Sequence, residues 1–412
     1  MDLFNVAALL ITFSALFAWI NQRTLRLPPT IGVMAIALVF SLGMIGLVRL
    51  GLAPPDSFAW FRDVKFGPTL MDGMLGFLLF AGALHVDLGQ LRAQRWVVTF
   101  LATIGVLLTT LLVGAATWWI VQALGLELPW AYALLFGALI APTDPIAVIA
   151  VLKQAGVPHS LETKIAGESL FNDGVGVVIF LVLLGAAAGG GFDAADAAGL
   201  LVREAVGGIA LGLVLGSIAY AMLRSVDNYQ VEVLVTLALV AGGYALAHSL
   251  HTSGPLAMVA AGLLIGNQGR QFAMSDRTRE HLDTFWELVD AVLNAVLFVM
   301  IGFEVIVLVF TPARVAAGLV VIPVVLGVRF LSVGTGVGLL RHRRAFSPYA
   351  ATMMSWGGIR GGISVALALQ VPPGPEREII VSITYTVVAF SILVQGLTMG
   401  PLARRLYRGQ AE

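Results

Sequence analysis

Long runs of apolar residues dominate this sequence and restrict what it can fold into. Several of them, such as residues 3–20 and 97–123, reach the roughly 20 residues that a helix needs to cross the hydrocarbon core of a bilayer. Segments of alternating hydrophobicity, typical of membrane β-barrels, do not occur in the sequence. Only 12% of the 412 residues are charged, about half the fraction found in soluble domains. The sequence therefore predicts an all-α polytopic membrane protein, with residues 1–412 forming a single membrane domain.

Positive charge predicts how the chain is oriented. The length rule gives about thirteen transmembrane helices. With the N-terminus outside, 16 of the 24 lysine and arginine residues fall in cytoplasmic loops or at the C-terminus. Cytoplasmic loops of membrane proteins carry such an excess. We therefore expect a multi-pass protein of the cell's inner (plasma) membrane, with the N-terminus outside and the C-terminus in the cytoplasm.

Composition and motifs exclude several classes of function. The chain has no cysteine, which excludes disulfides, thiolate metal sites and cysteine catalysis. Lysine plus arginine balances aspartate plus glutamate at 24 each, without a basic stripe, so no nucleic-acid partner is expected. A membrane enzyme acting on lipid or peptide would need a motif such as HExxH or a G-x-S-x-G elbow at a span, and neither occurs. A transporter without a cofactor is expected instead.

Asp144 is the first of several charged residues at membrane depth. Such charges are costly unless they are paired or hydrated, and they mark functional sites. Pro142 and Pro145 flank Thr143 and Asp144, and each proline removes a backbone donor, so the fifth span should unwind here. Unwound backbone at this depth lines a cavity, and a carboxylate beside free carbonyls suits a hard cation. The plainer interpretation is a proline kink in which Asp144 caps a half-helix.

The sixth span carries a second polar cluster. Ser169 and Asp173 lie four residues apart on one helical face, and Glu168 and Asn172 share the neighbouring face. The first face can direct a hydroxyl and a carboxylate towards Asp144. The alternative is a structural polar cluster that holds helices together.

Arg360 lies in the middle of the twelfth span, among four glycines between residues 357 and 362. These glycines weaken the helix, and an arginine at this depth needs a partner or water. Glu168 is the expected partner, because Asp144 and Asp173 are needed for the ion. The alternative is a close-packed glycine patch with a snorkelling arginine.

The two interrupted spans are the fifth and the twelfth of thirteen. They occupy corresponding positions in two inverted repeats of six helices, and paired broken helices of this kind point to a transport site.

The stretches Ala141–Pro145, Glu168–Gly174, Phe298–Glu304 and Gly357–Gly362 resemble the sodium/proton exchanger family, in the branch with an Asn-Asp pair, here Asn172 and Asp173. The resemblance implies that Asp144 and Asp173 bind the ion, helped by Ser169 and the Thr143 carbonyl, while Glu168 and Arg360 form a stabilising pair. Some members carry an acidic residue in the third span, where this chain has Ala81.

The resemblance also implies a fold and an assembly. It predicts two crossed broken helices within an ion-translocating core, approximately residues 97–188 and 313–402. A dimerisation part would comprise approximately residues 1–96 and 231–310, with residues 201–223 as a linking helix, and the protein would be a homodimer.

The expected function is secondary active exchange of a monovalent cation, foremost Na⁺, for H⁺ by alternating access. Li⁺ or K⁺ could bind the same oxygens, and a K⁺/H⁺ exchanger or a cation channel remain alternatives. Because Asn172 replaces a possible second acid beside Asp173, we expect electroneutral exchange. For Asp290 we expect helix packing or dimer contacts, and for Glu304 either exposure at the membrane interface or a function. The sequence leaves the carboxylate partner expected for Arg329 unidentified.

Overall fold

The structure is a computed structural model, which describes residues 3–52, 54, 74–145, 148–149, 151–152, 157–187, 194–306, 308, 310–341 and 346–407. Every regular element in these residues is helical. The helices are α1 (Leu3–Ile20), α2 (Pro29–Arg49), α3 (Leu75–Leu84), α4 (Leu88–Ala123), α5 (Trp130–Ile140), α6 (His159–Ala187), α7 (Ala194–Ser225), α8 (Tyr229–Ser249), α9 (Gly254–Leu264), α10 (Asp276–Glu304), α11 (Pro312–Leu340), α12 (Ala350–Trp356), α13 (Gly362–Gln370) and α14 (Pro375–Tyr407).

The predicted all-α membrane fold is confirmed. Within the described residues, nine helices are long and apolar enough to cross a membrane. The shorter helices α3, α5 and α9, together with α12 and α13 as two halves of one span, account for the remaining predicted spans. The start of the third predicted span lies outside the described residues.

Polar side chains begin several of these helices. The side chains of Asp87, Asn228 and Ser253 accept hydrogen bonds from backbone N–H groups in the first turns of α4, α8 and α9. Ser275 and Thr311 do the same for α10 and α11. Each cap satisfies a donor that the helix itself leaves without a partner. Asp87, at the end of the third predicted span, is thus a helix cap.

The helices pack in two groups. In the first, α2 packs against α1 and α10, α3 packs against α9 and α10, and α7 packs against α8 and α9. In the second, α4, α5 and α6 pack against one another, while α11 packs against α4, α12 and α14. Helix α4 runs continuously from Leu88, and Gln90 in its first turn accepts a hydrogen bond from Thr163 of α6. Residues 88–96, which were expected in the dimerisation part, therefore pack with the second group. The helices α6 and α13 contact α9 and α10 respectively, and so join the groups.

Both predicted helix breaks are confirmed. Helix α5 ends at Ile140, residues 142–145 are not helical, and residues 148–149 and 151–152 are helical again. The second interrupted span ends α12 at Trp356 and restarts as α13 at Gly362. Proline and glycine cause these breaks, since proline lacks the N–H that continues a helix and glycine favours the unfolded chain.

Candidate functional site

The two interrupted spans cross, and each satisfies backbone groups that the other's break leaves open. The backbone N–H of Asp144 donates to the carbonyl of Ile359 at 2.7 Å. In return, Arg360 Nη1 donates to the carbonyls of Ala141 and Pro142 at 2.5 and 2.9 Å. In an unbroken helix, the Ala141 carbonyl would accept from residue 145, which is a proline without an N–H. The guanidinium of Arg360 therefore supplies a donor that the sequence of α5 removes.

The charges at the crossing match the ends of the half-helices. Arg360 lies at the C-terminal end of α5, where the helix dipole is negative. The Asp144 carboxylate lies against Gly361, just before α13 begins, where the dipole is positive. Two opposite charges can thus be held at membrane depth, although Arg360 is only 2% exposed.

Polar residues of α6 hold the unwound segment in place. Asn172 Nδ2 donates to Thr143 Oγ1 at 2.9 Å, and the Asn172 side-chain oxygen accepts from the Thr143 N–H at 3.3 Å. The hydroxyls of Thr143 and Ser169 share a hydrogen bond of 2.9 Å. The expected meeting of the fifth and sixth spans is therefore present.

A cavity of about 570 Å³ reaches the crossing. Of the predicted ion-binding residues, Asp144, Asp173 and Thr143 line it, whereas Ser169 lies behind Thr143. Asp173 is 5% exposed, and no residue in the described part of the chain donates a hydrogen bond to its Oδ1. The charge of Asp144 acts on Asp173 across this space, and that of Arg360 acts with the opposite sign. Two carboxylates that line one open cavity can hold a cation or protons.

The cavity opens at the end where α3, α6 and α10 present polar side chains. His159 and Glu287 lie there, and each side chain is 70% exposed. Deeper in the cavity, Asp290 and Asn294 of α10 face the site. Sequence reasoning expected helix packing or dimer contacts for Asp290; its spacing of three from Glu287 and four from Asn294 was the signal for a shared face.

The predicted pairing of Glu168 with Arg360 is wrong. Both terminal nitrogens of Arg329, in α11, donate hydrogen bonds to the Glu168 carboxylate. Nη1 donates to Oε1, and Nη2 donates to Oε2 at 2.9 Å. Arg329 Nη2 also donates to the carbonyl of Met354 at 3.0 Å. Arg360 donates instead to the carbonyls of Ala141 and Pro142, just after α5 ends, because the break leaves these carbonyls without backbone donors. The carboxylate partner expected for Arg329 is therefore Glu168.

Two glycines of the second break allow close approach. A Cβ at residue 358 would lie 2.6 Å from Arg329 Nε, and one at residue 361 would lie 2.4 Å from Asp144 Oδ2. Real Cβ atoms do not approach other atoms this closely. The glycines that predicted a weakened helix therefore also make room for Arg329 and Asp144.

Helix α14 contributes two residues that sequence reasoning missed. Ser391 Oγ accepts from the backbone N–H of Arg360 at 2.9 Å and donates to Gln395 Oε1 at 2.5 Å. Gln395 Nε2 donates to the carbonyl of Trp356 at 2.8 Å. These contacts satisfy both ends of the second break. A glutamine in the middle of the thirteenth predicted span was the available signal.

Crossed, interrupted helices with two carboxylates in one open cavity define a secondary transporter of the membrane rather than an enzyme. A model of the transmembrane sodium/hydrogen exchangers matches residues 11–405. The chain belongs to the sodium/hydrogen exchanger family.

Individual relatives match this chain over nearly its whole length. The Na⁺/H⁺ antiporter NhaP of Pseudomonas aeruginosa is 50% identical, with 98% of this chain and 97% of that protein covered. The Na⁺/H⁺ antiporter NhaH of Halobacillus aidingensis is 33% identical, with 98% of each covered. The sodium proton antiporter MjNhaP1 of Methanocaldococcus jannaschii has the same fold, with a TM-score of 0.76 at 23% identity over 98% of each chain.

Proposed function

We propose that this protein exchanges Na⁺ for H⁺ across the plasma membrane, with Asp144 and Asp173 as the shared site. One observation carries the proposal: both carboxylates line a single cavity at the crossing of the broken helices. The names of the relatives, which are Na⁺/H⁺ antiporters, support the same substrates.

The exchange follows from electrostatics. An empty site with two negative charges is costly to carry through an apolar barrier. Either a cation or protons can neutralise it, and both compete for the same carboxylate oxygens. The occupied site then moves between the two sides by alternating access. Thr143 lines the cavity beside the carboxylates and offers its carbonyl as a further ligand, while Ser169 and Asn172 fix the position of Thr143.

The orientation follows from the positive charges in the sequence. With the N-terminus outside and the C-terminus in the cytoplasm, the open end of the cavity, with His159 and Glu287, faces the cytoplasm. A channel would need a continuous aqueous path, whereas this cavity ends where Leu297 lies against Gly362.

Exchange should require Asp173. We expect Asp173→Asn to abolish Na⁺-dependent proton movement in proteoliposomes, because the neutral amide cannot alternate between binding a proton and a cation. Asp276→Asn is the matched control, since Asp276 lies at the exposed start of α10 with its side chain 97% exposed. Normal exchange by Asp173→Asn would overturn the site. Adding Li⁺ or K⁺ in place of Na⁺ in this assay identifies the preferred cation.

The stoichiometry should be one cation for one proton. Asn172 is neutral and both of its amide atoms are bound to Thr143, so it adds no titrating charge beside Asp173. If each cycle moved one net elementary charge across the membrane, its free energy would change by about 2.3 kcal/mol per 100 mV of membrane potential. We therefore expect the exchange rate in proteoliposomes to be independent of an imposed potential. A rate that follows the potential would contradict this stoichiometry.

The division of the molecule follows the two packing groups. We assign α4–α6 and α11–α14 to the ion-translocating core, and the helices α1–α3 and α8–α10 to the dimerisation part, with α7 as the linking helix. The homodimer implied by the family resemblance should appear as twice the chain mass in light scattering of the detergent-solubilised protein. A monomeric mass would contradict it.

A further inference from the structure

One face of α10 lines two cavities in succession. Positions on this face alternate by three and four residues, the spacing that places side chains in one row along a helix. At 1.5 Å per residue, the row is roughly 25 Å long, which approaches the ~30 Å thickness of a bilayer core. The row consists of Glu287, Asp290, Asn294, Leu297, Ile301 and Glu304.

The two cavities meet at an apolar contact. Glu287, Asp290 and Asn294 line the large cavity, and Leu297 lines both. Leu297 lies so close to Gly362 that a Cβ at residue 362 would be 2.5 Å from its Cδ1. Beyond this contact lies a second cavity of only about 10 Å³, enough for about one water molecule. The Leu297–Gly362 contact therefore closes the large cavity at its deep end, opposite the end that opens.

Glu304 lies at the far end of this row, in the wall of the small cavity. It is 5% exposed, and no described residue donates a hydrogen bond to its Oε2. The hydroxyl of Tyr385 is likewise buried without a partner among the described residues. Among the residues that the structure describes, the charge of Arg377 acts on Glu304, and that of Glu304 acts on Tyr385. By contrast, both carboxylate oxygens of Glu168 accept from Arg329, whereas Oε2 of Glu304 accepts from none of the described residues.

We propose that Glu304 is a relay site for the cation and the proton on the outer half of the transport path. When Leu297 separates from Gly362, the small cavity joins the ion-binding site, and the Glu304 carboxylate receives the ion or proton that leaves Asp144 and Asp173. This inference rests on the proposed exchange function. Here, outer denotes the side opposite the opening of the large cavity.

The first test separates the two sides of the membrane. Glu304→Gln keeps the shape of the side chain and removes its charge, while Glu304→Asp keeps the charge. In oriented proteoliposomes, we expect Glu304→Gln to raise the KM for Na⁺ applied at the outer face by about tenfold, as for the loss of one charge-assisted contact. The KM at the cytoplasmic face should stay within about twofold, and Glu304→Asp should restore most of the difference. Unchanged KM values at both faces, or equal changes at both, would overturn the proposal.

The second test follows the path without altering Glu304. Because the chain has no cysteine, single cysteines can be placed at adjacent buried positions. Met300 lines the small cavity, whereas its neighbour Val299 is buried and lines neither cavity. We expect a membrane-impermeant thiol reagent added outside to modify Met300→Cys during Na⁺ exchange, and much faster than Val299→Cys.

Equal reactivity of the two cysteines, or labelling of Met300→Cys from the cytoplasmic side alone, would overturn the path. This result does not depend on the stability of the Glu304 variants. A wild-type protein that moves no ions would instead count against the proposed function. Labelling of the two cysteine variants under a Na⁺ gradient would then still show whether the outer side reaches Met300.

Discussion

The ion pair between Glu168 and Arg329 offers a quantitative test of how the core is held together. The pair joins α6 to α11, and Arg329 also reaches the Met354 carbonyl in α12. Its side chains are 1% and 8% exposed, so water cannot replace a lost partner. The perturbation is Glu168→Gln, which removes one charge and preserves the shape of the side chain.

The expected loss follows from the burial of the remaining charge. Removing one partner of a buried, bidentate pair leaves an uncompensated charge and costs about 3–5 kcal/mol. Arg329→Gln should cost about 1 kcal/mol more than Glu168→Gln, because it also removes the donor to the Met354 carbonyl. Neutralising both residues removes the charges together, so the double variant should lose about 3 kcal/mol less than the sum of the two single losses.

The assay is reversible denaturation in detergent, with the free energy of unfolding measured for both single variants and the double variant. The three variants form a double-mutant cycle that gives the coupling energy between Glu168 and Arg329. The control is a cycle with Arg360→Gln in place of Arg329→Gln, because Arg360 donates to the carbonyls of Ala141 and Pro142 instead. We expect a clearly smaller coupling energy between Glu168 and Arg360. Additive losses for Glu168 and Arg329, or stronger coupling to Arg360, would show that the Glu168–Arg329 pair does not hold α6 against α11.

Two further predictions concern the ion site. Gly361→Ala should lower the exchange rate at least about tenfold in a folded protein, because its Cβ would lie 2.4 Å from Asp144 Oδ2 and displace the carboxylate. Gly334→Ala is the control, because a Cβ at residue 334 meets open space. It should leave exchange unchanged and raise the free energy of unfolding by about 0.5–1 kcal/mol. Normal exchange by Gly361→Ala would contradict the close approach. Asn172→Ala should raise the KM for Na⁺ about tenfold, because Thr143 loses a donor and an acceptor. Asn228→Ala, which removes only the cap of α8, should leave that KM unchanged.

Local features of the sequence were sufficient for much of the site. The break in the fifth span follows from Pro142 and Pro145, because a missing N–H acts within a single helical turn. The spacing of Ser169 and Asp173 predicted one helical face directed towards the break at Thr143 and Asp144 for a similarly local reason, the 3.6-residue period of a helix. The same period already placed Asp290 and Asn294 on one face of α10, but it could not say that this face borders the ion cavity.

From the sequence alone, it could be inferred that the chain is a bundle of membrane-spanning helices, that two spans break, and that Asp144 and Arg360 lie at the breaks. Hydropathy, missing donors and helical period act over a few residues, so they can be read without knowing how the helices pack. By contrast, the packing of the helices shows that Glu168 binds Arg329 and that Arg360 donates to the carbonyls of Ala141 and Pro142. These partners are 161 and 219 residues apart in the chain, and both arginines lie at mid-span. Their choice of partner depends on how α11 and the second break are placed against α5 and α6, which is a property of packing rather than of local sequence.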